Sequence, residues 1–263
     1  MEKGHTIPIL GQGYVRYIDH LGTDLRIVEA ARISYKSPSK GEDQDKKLLL
    51  YLYKHRHTSP FEQCSITFNI KMPIFIMRQF VRHRTFRLNE WSGRYSELAD
   101  EFYLPTQWRA ADAKNKQGSQ VSASLDHAAL TQEVKACHDS AYATYQRLLQ
   151  QGVARELARM VLPVSIFTEV YVNCDLHNLV HFLQLREDDH AQLEIRELSA
   201  AMRQVAEKLF PWTFEAYHKY RLTVSEKPKE TVPASGFILT RCLNPPRKPP
   251  LLNPPPPNRN GCR

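Results

Sequence analysis

The chain has 263 residues, 42% hydrophobic and 24% charged, an ordinary composition for one large globular domain or two small ones. No apolar run approaches the roughly 20 residues of a bilayer span, and "MEKGHTIPIL" lacks the basic start and long apolar core of a secretory signal. The net charge of +8 is concentrated: from Ser225 onward there are seven Lys/Arg against two Asp/Glu, so residues 1–224 carry about +3, which argues against a nucleic-acid groove.

The elements follow in chain order. "YVRYIDHLG" (14–22) predicts a strand and turn, after which Thr23 or Asp24 can cap a helix reaching about Ser34. Residues 44–56, "QDKKLLLYLYKHR", predict an amphipathic helix, broken by "HTSPFEQ" (57–63). Cys64, Ile66, Phe68 and Ile70 then alternate with Ser65, Thr67, Asn69 and Lys71, the clearest strand pattern, with one wet face. Pro73 suits the first turn of a helix running to residue 84. Helices are expected over 125–151, 153–161, 175–186, 190–209 and 211–220, with a second strand over 164–172. Together these predict one α+β domain over 1–224, helix-rich around a small, mostly antiparallel sheet.

Residues 225–263 hold ten of the seventeen prolines, including Pro254–Pro257, and cannot build a packed core. They read as a disordered or polyproline II extension; "NPPRKPPLLNPPPP" also has the composition of a ligand for an SH3-like domain. Cys64, Cys137, Cys174, Cys242 and Cys262 are odd in number and scattered with no CxxC spacing, which argues against a zinc ribbon and a disulfide framework and makes a reducing cytoplasm the simplest compartment.

Two stretches carry chemistry. In "RQFVRHRTFRLNEWSGRY" (78–95) five of eighteen residues are arginine and none is lysine. A solvated basic face would mix the two; arginine alone points to planar, bidentate recognition of phosphate or carboxylate. On a helix, Arg78 and Arg82 would share one face and Gln79 and His83 the next. Gly93, between Ser92 and Arg94, would let backbone amides approach an anion. Neither a P-loop nor a dinucleotide-binding glycine pattern is present, so a nucleotide would be held by side chains.

The second stretch is "DLHNLVHFLQLREDDHAQLEIRE" (175–197). His177 and His181 share a helix face, followed by Asp188, Asp189 and His190. The pair could ligate a metal, pack beside the apolar stripe, or face an organic cofactor. Arg186 precedes three acids, Glu187, Asp188 and Asp189, and is expected to be positioned by one of them. The residues alone thus leave open a metal-dependent hydrolase using His177, His181, His190 and an acid, a nucleic-acid-binding module using the arginines, and an enzyme that holds an organic cofactor.

"RHRTFRLNEWSGRY" (82–95) resembles the signature RHRxxSxNExSxRY of the flavin-dependent thymidylate synthases. Eight of nine fixed positions are met: Arg82, His83, Arg84, Asn89, Glu90, Ser92, Arg94 and Tyr95; the ninth, a serine in the pattern, is Arg87 here. "HTSPFEQCSITFNIKMPIFIMRQF", "ARELARMVLP" and "PWTFEAY" resemble other segments of the family. The resemblance implies conversion of dUMP to dTMP by a homotetramer with shared active sites. Methylenetetrahydrofolate would donate carbon, FAD reduced by NADPH would carry out the redox chemistry, and no metal or cysteine nucleophile would be used. It implies that Ser59, Arg82, His83, Arg84, Glu90, Asp175, His177 and His181 meet FAD. Gln79, Arg82, Glu90, Ser92, Gly93, Arg94, Arg159 and Arg186 would hold dUMP, with Arg186 catalytic and His57 on the folate side.

Overall fold

The computed structural model describes residues 1–220, apart from 113–117 and 123. The expected extension, 225–263, lies outside the described residues. The chain opens with a hairpin, β1 (Thr6–Ile9) and β2 (Gly13–Leu21), followed by helices α1 (Asp24–Arg32) and α2 (Glu42–Lys54). β3 (Ser65–Pro73) leads into α3 (Ile74–Phe80), and β4 (Arg87–Glu90) follows after a tight turn. A two-stranded ribbon, β5 (Arg109–Ala111) and β6 (Ser119–Val121), precedes the long α4 (His127–Gln150) and the short α5 (Arg155–Ala158), which continues as a 3-10 turn over Arg159–Val161. Then come β7 (Phe167–Asp175), α6 (Leu176–Arg186), α7 (Leu193–Leu209) and α8 (Pro211–Tyr220).

The main sheet has the order β1-β2-β3-β7-β4, and every pair in it is antiparallel. This is the helix-rich α+β architecture that the patterning predicts. One face is apolar. Ile66, Phe68, Ile70 and Met72 of β3 are fully buried, beside Val170, Val172 and Cys174 of β7. Against this face pack Leu176, Leu179, Phe182 and Leu183 of α6 and Ile195, Leu198, Met202 and Val205 of α7, one continuous core. Each such side chain contributes about 1.5–3 kcal/mol by leaving water.

The wet face differs from expectation at one position. Asn69 is 1% exposed. Its Oδ1 accepts from Tyr14 Oη at 3.2 Å and from Arg16 Nη1 at 3.3 Å, while its Nδ2 donates to Glu169 Oε1 at 2.9 Å. A buried amide with its polar atoms partnered costs little, which is how a polar residue occupies the sheet's middle. Burial, then the hydrogen bond to Glu169, pushes the Tyr14 hydroxyl up to about 12.

Capping also diverges. Thr23 stands at the N-cap of α1 without a side-chain cap. Asp24 is buried and serves another helix: it accepts from Trp212 N at 2.8 Å and from Thr213 N at 3.2 Å, capping α8 from 188 residues away. Asp126 and Asp175 do cap their own helices, accepting from Ala129 N at 3.0 Å and Asn178 N at 2.8 Å.

The helix predicted over 73–84 ends at Phe80. Arg82 N and His83 N donate to the carbonyls of Gln79 and Phe80, and Phe86 N to that of His83, so the chain turns tightly and emerges as β4. The turn drives Phe86 into the core against Phe80 and Phe182, at ring separations of 5.4 and 5.6 Å. Burying that ring, and pairing β4 with β7, outweighs continuing a helix that would leave Phe86 wet. The expected sharing of helix faces by Arg78 with Arg82, and by Gln79 with His83, is thereby corrected.

Candidate active site

The signature segment is a turn and an edge strand, not a helix. Arg82, Arg84 and Arg87 are exposed, and His83 is half-buried. The His83 ring meets Phe182 edge-on at 4.8 Å and Phe86 at 5.9 Å, wedging the turn against α6. From the end of α6, Arg186 Nε donates to His83 Nε2 at 3.0 Å. Residues 103 positions apart are thus joined at one point. Burial first, then the Arg186 charge and His181, lowers His83 to about 4, so the ring is neutral at physiological pH. Burial also draws the Arg186 guanidinium below its ordinary value, though it stays protonated.

The acids that follow Arg186 do not position it. Glu187 accepts from Arg203 Nε at 2.7 Å and Tyr217 Oη at 2.8 Å, Asp188 bonds His190 at 2.7 Å, and Asp189 meets Arg196 at 3.0 Å. Glu187 therefore ties the C-terminal end of α6 to α7 and α8, while Arg186 turns the other way.

His177 and His181 lie on α6 beyond its cap residue Asp175. Among the described residues no group of three or more His, Cys, Asp or Glu side chains could hold a metal ion. The candidate flavin residues fit FAD by their donor chemistry. Two exposed guanidiniums at Arg82 and Arg84 suit a diphosphate, and the acceptor role of His83 Nε2 leaves Nδ1–H as a donor. Ser59 and His57 are exposed on the loop before β3, with His57 stacked on Tyr51 of α2 at 6.1 Å. Among the described residues no hydrogen bond, ion pair or ring contact joins that loop to the His83–Arg186 point.

The candidate nucleotide residues are spread more widely. Gln79, on α3, donates through Nε2 to Gln192 Oε1 at the N-terminus of α7. Gln192 in turn bonds Glu194, whose carboxylate takes both bonds of Arg109 Nη2, at 2.7 and 2.8 Å, and that of Tyr103 Oη at 3.0 Å. This relay was not legible in the sequence; its only signal was Glu194 standing on the apolar face of a helix. Glu90 closes β4 and accepts from Thr168 Oγ1 at 2.7 Å. Ser92 Oγ accepts from Arg94 N at 3.3 Å, and Arg94 Nε meets Glu156 Oε2 of α5 at 3.1 Å. Arg159 begins the 3-10 turn after α5. Gly93 is buried under Leu98, which a Cβ would meet at 3.2 Å, so a side chain there would require Leu98 to shift slightly.

A cavity of about 340 Å³ opens on the wet sheet face beside Glu90, lined by Asn69, Asn89, Trp91, Glu169, Val170 and Tyr171. Arg87, the residue that departs from the signature, reaches across β7 and donates through Nη1 to Asn173 Oδ1 at 2.8 Å. Asn173 continues the row by donating to Thr67 Oγ1 at 3.0 Å. Burial raises Cys64 to about 11 and Cys174 still further, the reverse of what a thiolate nucleophile needs.

The family model described as "Thymidylate synthase complementing protein" matches residues 16–212. A flavin-dependent thymidylate synthase of Thermus thermophilus is 46% identical over 222 residues, 84% of this chain and 82% of that one. The enzyme of the same name from Ehrlichia ruminantium is 46% identical over 217 residues, 81% of this chain and 73% of its own length. Among solved structures, a UMP/dUMP methylase, PolB from Streptomyces cacaoi bound with 5-Br dUMP, is similar with a TM-score of 0.74 at 35% identity, covering 80% of this chain and 96% of that one. With the signature turn and Arg186 meeting on this sheet and these helices, the chain belongs to the flavin-dependent thymidylate synthase family and is an enzyme of the methyltransferase kind.

Proposed function

We propose that the protein methylates dUMP to dTMP, using FAD, with 5,10-methylenetetrahydrofolate as carbon donor and NADPH as reductant, and no cysteine nucleophile. The observation that carries the reading is the contact of Arg186 with His83, which brings the end of α6 onto the signature turn. The relatives' shared name supports a flavin, and the nucleotide bound to PolB supports dUMP as substrate. The buried, un-ionised thiols support a mechanism without cysteine.

When bound, FAD would supply the hydride chemistry that side chains cannot. This chain's residues would bind and orient. Arg82, His83 and Arg84, with Ser59, Glu90, Asp175, His177 and His181, would hold the cofactor. Gln79, Arg82, Glu90, Ser92, Gly93, Arg94 and Arg159 would hold dUMP, the arginines on its phosphate, where bidentate charge-assisted bonds are strongest. Arg186 would present its guanidinium to the uracil edge and stabilise the negative charge that develops as the ring is activated. His57 would lie on the folate side.

Gln79, Arg94 and Arg186 engage three different elements, α7, α5 and the signature turn. A homotetramer whose active sites are completed by more than one copy belongs to the same proposal. Among the described residues no helix is long and apolar enough to cross a membrane, and a cytoplasmic setting with neither membrane nor nucleic-acid partners belongs to the same proposal. So does a catalytic domain over residues 1–224, with 225–263 as an extension.

The reading is tested by purification. The protein should be yellow, with flavin absorption bands, and should convert dUMP to dTMP when given methylenetetrahydrofolate and NADPH. A colourless protein carrying stoichiometric metal would favour the hydrolase reading instead.

Ser92→Ala separates ligand contact from covalent chemistry. Ser92 is half-buried, and its Oγ already accepts a backbone bond in the turn. The variant should raise the KM for dUMP by about tenfold, the scale of one lost hydrogen bond to a charged group, with turnover largely kept at saturation. Complete loss of turnover at saturating dUMP would instead identify a serine nucleophile.

A further inference from the structure

Arg186 sits half-buried, held by an imidazole rather than by any of the three acids that follow it. Its Nε–H is directed at His83 Nε2, and among the described residues neither Nη has a hydrogen-bond partner. Nε and the two Nη groups are coplanar, so fixing the Nε–H direction fixes the plane in which both Nη groups point. The imidazole is itself fixed, edge-on to Phe182 and tilted against Phe86, and those rings pack on Phe80. We propose that His83 is a positioning residue for Arg186: its unprotonated Nε2 accepts the Nε–H and sets the plane in which the guanidinium is offered to the substrate. This inference rests on the role of Arg186 proposed above.

An acid in the same place would hold Arg186 more tightly, but it would also neutralise it. A neutral imidazole orients the cation without cancelling its charge, leaving the full field for charge that develops on a bound ring. The charged and titratable groups that shift His83 are Arg186 and His181, both on α6; Arg82 and Arg84 flank it in the turn, and the rings of Phe86 and Phe182 pack against it. Both charge effects favour the neutral ring, in line with its lowered value of about 4, so the contact persists across the usual assay range.

Two measurements test the inference. The first compares His83→Leu, which fills the aromatic box but removes the acceptor, with His83→Gln, whose Oε1 lies near the place of Nε2. In flavin-loaded protein, His83→Leu should lower kcat by about 10–100-fold, the cost of a misaimed catalytic group, with the KM for dUMP changed by less than about threefold. His83→Gln should recover at least about tenfold of that loss, as expected of a restored hydrogen bond to a charged donor. Equal losses in the two variants, or a loss confined to KM and flavin content, would overturn the proposal.

The second measurement is nitrogen NMR of the wild-type histidines between pH 5 and 8, with His83 assigned by through-space contacts of its ring protons to Phe182 and Phe86. The expected result is a neutral ring throughout, protonated on Nδ1 and bare on Nε2. A protonated Nε2, or titration near the ordinary histidine value, would overturn the proposal even if neither variant folds. The two readings fail separately. Near-normal turnover of Arg186→Ala would remove the role of Arg186 while the tautomer still reported the contact. A wrong tautomer would remove the role of His83 while Arg186 remained essential.

Discussion

Replacing Arg186 with alanine should cut dTMP formation by about 10²–10³-fold or more, the cost of deleting one preorganised group aimed at developing charge. FAD should remain bound. The size of the effect follows from where the side chain sits. Arg186 is half-buried, and burial pulls its guanidinium below the ordinary value, so its charge lies in a medium less screening than water. A charge already held in place needs no rearrangement when negative charge appears beside it. Flavin retention follows because the side chain extends from the last residue of α6, whose end is anchored separately by Glu187 to Arg203 and Tyr217. The measurement is single-turnover dTMP formation alongside the flavin-to-protein absorbance ratio. Near-normal turnover would remove Arg186 from the chemistry, and loss of flavin would make it a structural residue.

Arg109→Leu should destabilise the protein by about 3 kcal/mol, the lower end of what breaking one side of a buried ion pair costs. At this chain length that is a fall of about 10 °C in Tm. The Glu194 side chain is 4% exposed and that of Arg109 17%. The pair pins the β5–β6 ribbon to the first turn of α7. Burial opposes the Glu194 charge, but the hydrogen bond from Arg109, with those from the backbone and Gln192, outweighs it and holds the carboxyl below its usual value. A lowered carboxyl contributes stability that is present above its unfolded value of about 4.3 and is lost as pH falls through its folded value below that. Without Arg109 the burial effect prevails and the sign reverses. The variant's deficit should then be largest at neutral pH and shrink on acidification toward about pH 5, as the stranded carboxylate takes up a proton. Denaturation curves at pH 7 and pH 5 read this directly. An Arg109→Leu/Glu194→Leu double variant should recover only part of the loss, because Tyr103 would then lack its acceptor.

The parts of the fold legible in sequence are those that periodicity writes. β3 alternates strictly, α7 shows its apolar stripe, and α2 and α4 lie within two residues of expectation. The parts that were not legible are settled by distant partners. β4 has four exposed residues and no apolar face of its own; it is a strand because β7 offers an edge beside it. α3 stops early because Phe86 is worth more in the core than in a continued helix. Asp24 stands where a local cap belongs and caps α8 instead, because Thr213 folds onto it with a 2.6 Å bond.

The candidate site divides in the same way. Its residue types were readable from the arginine-only stretch and from the signature it resembles, since those letters carry chemistry at fixed spacing. Its geometry was not. Nothing local to "LQLREDD" says that the acids serve Arg203, Tyr217, His190 and Arg196 while the arginine turns to His83. Side-chain pairing between α6 and a turn 103 residues earlier is a property of packing, and sequence proximity pointed to the wrong partner. Arg87 contacts Asn173 on β7, at the end of β4 away from the segment that carries Ser92 and Arg94.

The proposed reaction couples oxidation of one reduced flavin to methylation of one dUMP. The direct measurement is to reduce the purified, flavin-loaded protein without oxygen, add methylenetetrahydrofolate, and follow the flavin absorbance before and after adding dUMP. The account predicts no reoxidation until dUMP is present, then recovery of the oxidised spectrum with one dTMP formed per flavin. Reoxidation independent of dUMP, or none after its addition, would contradict it.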